Sequence, residues 1–151
     1  MDNAEIKRLR HVSQQYAYVS IKMHEAIAQK AGLSGTDHKY LGFLLVKGKM
    51  TAGELTNLTG LTTGAVTGLI DRFEKKKLVK RTFSKDDRRK VIIEPNQKNI
   101  MALLEPLFAA FGKKSEEHIA SFSNREMKTI EAYLLKSIEI MTETTAKLSK
   151  K

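Results

Sequence analysis

Between residues 66 and 93 the apolar pattern changes its period, and that change constrains the fold more than any other feature of the chain. Val66, Leu69, Ile70 and Phe73 fall at i, i+3, i+4 and i+7, the spacing of one buried helix face. Beyond Phe73 that spacing stops. Leu78-Val79-Lys80-Arg81-Thr82-Phe83 and Lys90-Val91-Ile92-Ile93-Glu94 read as two β-strands, joined by the polar, charged turn Ser84 to Arg89. The segments on either side are helical in pattern, so the expected fold class is mainly α with a small β-hairpin wing.

The helices are delimited by their caps. Ile6, Leu9, Val12, Tyr16, Val19, Met23 and Ile27 predict one long helix over 5–31, ended by Gly32. Ser34 with Asp37 is a capping-box pair opening a helix through Tyr40, Leu41, Leu44 and Leu45, closed near Gly48. Thr51 with Glu54 opens a short helix with Leu55 and Leu58 facing inward. Gly60 suits a tight turn of positive φ. Thr62 or Thr63 caps the helix of Val66 and Phe73. From about 96 to 121 the pattern is helical again, through Ile100, Leu103, Leu104, Leu107, Phe108, Phe111 and Ile119, and Pro106 predicts a kink or a break. Ser123 and Glu126 cap a last helix carrying Met127, Ile130, Leu134, Ile138, Met141 and Leu148. The lysine-rich end from Lys147 is expected to fray. Helix, helix, short helix, turn, helix, hairpin is the order of a winged helix-turn-helix. The flanking helices carry more apolar surface than so small a core uses, and a two-fold dimer is the commonest way to bury the surplus.

Charge gives the expected partner. Of the net +10, the stretch from Arg72 to Lys90 supplies +7, with ten Lys/Arg against three Asp/Glu. Such a local basic patch is the footprint of a polyanion, with a solvated lysine-rich surface as the bland alternative. A chain of 151 residues suits a single domain with helical arms. No apolar run approaches the ~20 residues that span a bilayer, and the N-terminus lacks the apolar core of a secretory signal. With no cysteine there is no disulfide framework, thiolate zinc site or thiol switch. A soluble, cytoplasmic protein is expected.

The stretch Glu54-Leu55 … Leu58-Thr59-Gly60-Leu61-Thr62-Thr63-Gly64-Ala65-Val66-Thr67-Gly68-Leu69-Ile70-Asp71-Arg72-Phe73-Glu74 resembles the helix-turn-helix of MarR-type regulators. Leu78-Val79-Lys80-Arg81 continues the likeness, Asp87-Arg88-Arg89 matches the family's wing signature, and Val91-Ile92-Ile93 matches the strand leaving the wing. Two positions depart from the pattern. Lys77 stands where the family has Gly after the recognition helix, and Pro95-Asn96 replaces Leu-Thr after the wing. The resemblance implies one domain over 1–151. About 34–96 would be the DNA-binding winged helix-turn-helix, and about 5–31 and 97–148 would be dimerisation helices. It also implies a sequence-specific transcriptional regulator, repressing by default, that binds a pseudo-palindromic operator as a homodimer and responds to a small molecule.

A helix in the major groove needs small polar residues near its N-terminus, so that side chains reach base edges without holding the backbone away. Thr62, Thr63, Gly64, Ala65, Thr67 and Gly68 meet that need, off the core face. Arg72, one turn on, suits a phosphate, with a salt bridge as the alternative. By resemblance Arg89 enters the minor groove, Asp87 fixes its pose, and Arg88 and Lys90 meet phosphates. The resemblance also implies an effector pocket between the dimerisation helices and the winged domain, with His11, Tyr16, Met23, His24, His38 and Tyr40 of the first two helices as candidate linings and a small aromatic or phenolic effector; at helical spacing Tyr16 and Met23 are more often core or interface residues. No cofactor and no metal are expected, because the four histidines are scattered and no HExxH motif occurs. Catalysis is not expected either: there is no Gly-rich phosphate loop, Cys nucleophile or Ser elbow. A non-specific architectural DNA binder would share the basic patch without needing the small-residue helix. A membrane-surface role fits poorly, since acidic residues and strand-like alternation interrupt the basic stretch.

Overall fold

The computed structural model describes residues 3–83 and 90–149. They form α1 (Asn3–Lys30), α2 (Gly35–Lys47), β1 (Met50–Thr51), α3 (Ala52–Thr59), α4 (Thr63–Lys75), β2 (Val79–Phe83), β3 (Val91–Pro95), α5 (Gln97–Ala120) and α6 (Asn124–Leu148). The chain divides into two compact units, residues 1–108 and 109–151. Among the described residues no helix is long and apolar enough to cross a membrane.

Local chemistry sets the helix ends. Thr51 and Ser123 each accept from the backbone N–H three residues on, while Glu54 and Glu126 reach back to the cap N–H, so both capping boxes close. Gly48 and Gly60 end α2 and α3 with φ of 78° and 69°. Lys77 takes φ 57° after α4. Its N–H donates to the Glu74 carbonyl and the Leu78 N–H to the Phe73 carbonyl, which closes the helix end although left-handed backbone costs a non-Gly residue roughly 1–2 kcal/mol. Asn99 Nδ2 ties the Lys77 carbonyl down at 2.8 Å, and Asn96 Oδ1 accepts from the Asn99 N–H at 3.1 Å as the cap of α5.

The sheet order is β1-β3-β2, antiparallel throughout. Lys80 opposes Glu94, Arg81 opposes Ile93 and Phe83 opposes Val91. The expected hairpin is therefore a three-stranded sheet. Met50 and Thr51 pair with Ile93 and Ile92, and a two-residue strand is too short to show a period in the sequence. The core of the first unit centres on Leu41, Leu44, Leu55, Val66, Leu69, Ile70, Phe73, Ile93 and Ile100, all fully buried.

Three further expectations are corrected. Helix α5 continues through Pro106, so of the expected kink or break the break does not occur. Pro106 and Ala102, whose carbonyl loses its donor, are both exposed, so the helix accommodates the ring on its solvent side. Leu58 does not face inward but is 40% exposed. It lies about 60° round the helix from Leu55, and so short a helix presents one side to the core. The Ser34–Asp37 pair closes only in its forward direction: Ser34 Oγ accepts the Asp37 N–H at 3.0 Å, while the Asp37 carboxylate binds elsewhere, as described below.

Apolar surplus is visible in each unit. In α1 only Ile27 and Ala28 are buried, while Leu9, Val12, Tyr16 and Val19 stand exposed. Helix α6 has no buried residue, and Ile130, Tyr133, Leu134, Ile138 and Met141 face outward.

Candidate nucleic-acid interface

The candidate reading element is the N-terminal half of α4. Val66, Leu69, Ile70 and Phe73 anchor one face in the core, which turns Thr62, Thr63, Gly64, Ala65 and Thr67 outward. Thr62 is the cap, its Oγ accepting from the Ala65 N–H at 3.3 Å. Thr67 Oγ donates back to the Thr63 carbonyl at 2.9 Å. Gly64 has a helical backbone, and a Cβ added there would meet nothing within 4 Å. A Cβ at Gly68 would make an ordinary 3.6 Å contact with Arg72. Glycine costs a helix interior roughly 0.8–1 kcal/mol relative to alanine. No neighbour within the protein requires Gly64 to lack a side chain.

Arg72 is one turn beyond Gly68 and is held from below. Its Nε and Nη2 donate to the Asp37 carboxylate at 2.9 and 2.7 Å, a two-pronged pair joining α4 to α2 across 35 residues of sequence. The ion pair, the alternative weighed for this residue, is the arrangement adopted. Asp37 is 7% exposed and the guanidinium side 55%. The hydrogen bonds from Arg72 and then its charge hold the Asp37 carboxyl below its ordinary range, against the opposing effect of burial; Ser34 adds a smaller push in the same direction. A depressed carboxylate stabilises the fold above its unfolded pKa and loses that contribution as pH falls through the folded value. Arg72→Ala should therefore cost about 2 kcal/mol near neutrality, a modest figure for a buried carboxylate because Arg72 itself stays half in water. Thermal unfolding near neutrality and at about pH 3 checks this. The gap between variant and parent should narrow as pH falls toward the lowered Asp37 value; a constant gap would assign the loss to packing.

A second clamp holds α4 from the sheet. Arg81 on β2 donates Nη1 to Glu74 and Nη2 to Asp71, and its backbone N–H donates to Glu74 Oε1 at 2.9 Å. The Asp71 hydrogen bond is the largest of the influences that raise the Arg81 pKa. Lys80 pairs across the strands with Glu94 at 3.3 Å. Arg81 was not among the site residues read from sequence; its place in the Leu78–Arg81 run carried no indication of what it pairs with.

Lys90, next to β3, is exposed and its charge lowers the carboxyl pKa of Glu54, after the larger effect of the Thr51 cap. Asp87, Arg88 and Arg89 lie outside the described residues.

The six candidate pocket residues divide. His24 and His38 come together with ring centroids 5.5 Å apart, and Phe108 lies 5.6 and 6.1 Å from them. Burial, and secondly the charge of His24, lowers the His38 pKa. Met23 is half-buried against the core. Tyr40 belongs to the core itself, because its position on α2 places it beside Leu41 and Leu44. His11 and Tyr16 are exposed on α1, and His11 lies about 20 Å along the helix axis from His24. Among the described residues no three His, Asp or Glu side chains converge to hold a metal.

Comparison with known proteins gives one answer. The family model for the MarR family matches residues 31–90. The uncharacterized HTH-type transcriptional regulator YcgE of Bacillus subtilis (strain 168) is 37% identical over 132 residues, covering 85% of this chain and 83% of the relative. The HTH-type transcriptional regulator MhqR of the same organism is 27% identical, over 85% of this chain and 87% of the relative. Among solved structures, a MarR family protein from Bacillus stearothermophilus superposes with a TM-score of 0.70 at 25% identity, covering 94% of this chain and 99% of that one. A mutant of MepR from S. aureus bound to an oligodeoxyribonucleotide shares the fold, with a TM-score of 0.58 at 20% identity over 86% of this chain and 97% of that one.

Proposed function

This chain belongs to the MarR family, and on that premise we propose that it is a cytoplasmic, ligand-responsive repressor that binds a pseudo-palindromic operator as a homodimer. Its relatives are HTH-type transcriptional regulators, not enzymes. The observation that carries the DNA reading is the outward face of α4. Thr62, Thr63, Gly64, Ala65 and Thr67 are small and exposed, and Gly64 has no packing reason to lack a side chain. Such a face admits a duplex to the backbone of a helix N-terminus, where threonine hydroxyls meet base edges and N–H groups meet phosphate. The wing adds Arg89 in the minor groove, posed by Asp87, with Arg88 and Lys90 on phosphates, roles taken from the family's wing signature.

The dimer reading rests on the exposed apolar residues of α1 and α6, which a second copy of this chain buries. An effector that binds near His24, His38 and Met23, aromatic and acidic in character, represses or relieves by favouring one spacing of the two reading heads. Occupancy of a promoter by the dimer accounts for repression.

The test is selection of genomic fragments by the purified protein, at near-physiological salt with excess bulk DNA. The expected product is an inverted repeat with half-site centres about 10 bp apart. Affinity for it should fall by orders of magnitude, ~10³ or more, between low and moderate salt, as neutralised phosphates release counterions. Uniform recovery of all fragments would instead leave an architectural binder.

A further inference from the structure

We infer that Arg81 is a positioning residue for sequence discrimination: it masks two carboxylates on the reading helix and locks that helix in register with the wing strand. The inference rests on the DNA reading proposed above.

Its first ground is electrostatic. Thr63, Thr67 and Asp71 lie at successive i, i+4 positions on α4, so Asp71 stands one turn beyond Thr67 and two beyond Thr63 on the same side of the helix. Its side chain is 59% exposed. An unpaired carboxylate there opposes the phosphates of any duplex that meets Thr63 and Thr67. Glu74, a further turn along, adds a second. Arg81 answers both with one guanidinium.

The second ground is geometric. Asp71 and Glu74 are three residues apart on one helix side, and a planar fork that holds both fixes the rotation of α4 about its own axis. The backbone N–H of the same residue also donates to Glu74, so the strand and not only a flexible side chain is tied to the helix. Two residues after Arg81, β2 ends and the segment carrying Asp87, Arg88 and Arg89 begins. On the opposite flank, Asp37 holds Arg72. Helix α4 is thus gripped at its C-terminal half from both α2 and β2, while Thr63, Gly64, Ala65 and Thr67 of its N-terminal half face outward.

Charge masking and register are separable by substitution in the full chain. The probes are a duplex of the inverted repeat recovered from the genome and a shuffled duplex of equal length, with thermal unfolding measured for each variant. Arg81→Lys keeps the charge but loses the fork, and should lower the ratio of specific to non-specific affinity about tenfold while non-specific affinity changes little. Arg81→Gln should weaken both, because the carboxylates are unmasked. Adding Asp71→Asn and Glu74→Gln to Arg81→Gln should restore non-specific affinity without restoring the ratio. An unchanged ratio in Arg81→Lys overturns the inference, as does an equal loss on both duplexes that follows a fall in unfolding temperature. If the parent chain itself does not discriminate between the duplexes, the DNA reading fails and the inference falls with it.

Discussion

Phe73→Ala removes much of the stability of the winged unit, about 3–5 kcal/mol against a typical total of 5–15. Phe73 is completely buried, the largest of the fully buried side chains, and sits where α4 passes into the turn before β2. Its neighbours on the helix, Val66, Leu69 and Ile70, are themselves fully packed, so they have little freedom to close the void. The same residue supplies the carbonyl that receives the Leu78 N–H, which places the hole beside the left-handed Lys77 and its tight helix end. Thermal unfolding should move down by roughly 10 °C or more. Val46→Ala serves as the control: Val46 is 83% exposed, and its loss should register within about 0.5 kcal/mol. A Phe73→Ala shift as small as that of the control would mean that α4 is not anchored through this side chain. Added operator DNA should recover part of the lost midpoint, because it binds only the folded form.

The larger functional effect is expected from Leu134→Glu combined with Ile138→Glu. The two residues are one turn apart on α6 and are 47% and 55% exposed within the protomer. Neither packs in a protomer core, so the substitutions leave that core intact. In the proposed dimer they place two charges per chain in an apolar contact, where an unpaired charge is costly. Sedimentation equilibrium should then report a monomer. Because two linked reading heads gain about 10²–10⁴ in avidity over one, affinity for the full inverted repeat should drop by that factor, while binding to a single half-site stays near that of the parent. A double variant that remains dimeric with parental affinity would show that this face of α6 is not covered by a second copy.

The helix boundaries were legible because their causes are local. Thr51 and Glu54, Ser123 and Glu126, and Thr62 with the Ala65 N–H are each three residues apart, and that spacing lets a side chain reach a free backbone N–H. The core face of α4 was equally plain, since one helical period carries it. Lys77 could be placed in the left-handed region because a family pattern with glycine there states the backbone requirement directly. Along α1 and α6 the apolar stripes were readable, and so was the fact that they exceed the needs of one small core.

What the tertiary structure decided are the pairings between elements. Nothing in the sequence joins Asp37 to Arg72, 35 positions apart, or assigns Arg81 to Asp71 and Glu74 across the helix end. An arginine on a basic surface reads as free to meet phosphate until its neighbours in space are known. Tyr40 has the composition of a ligand contact and the position of a core residue, and Leu58 has the reverse fate, because burial depends on how much of a helix its neighbours cover. The strand Met50–Thr51 exists only because Ile92 and Ile93 lie beside it. Local periodicity and capping thus determined which residues form each element and which small face α4 presents. Only packing determined which charges that face keeps for an outside partner, because ion pairs across elements depend on distances that a linear spacing does not encode.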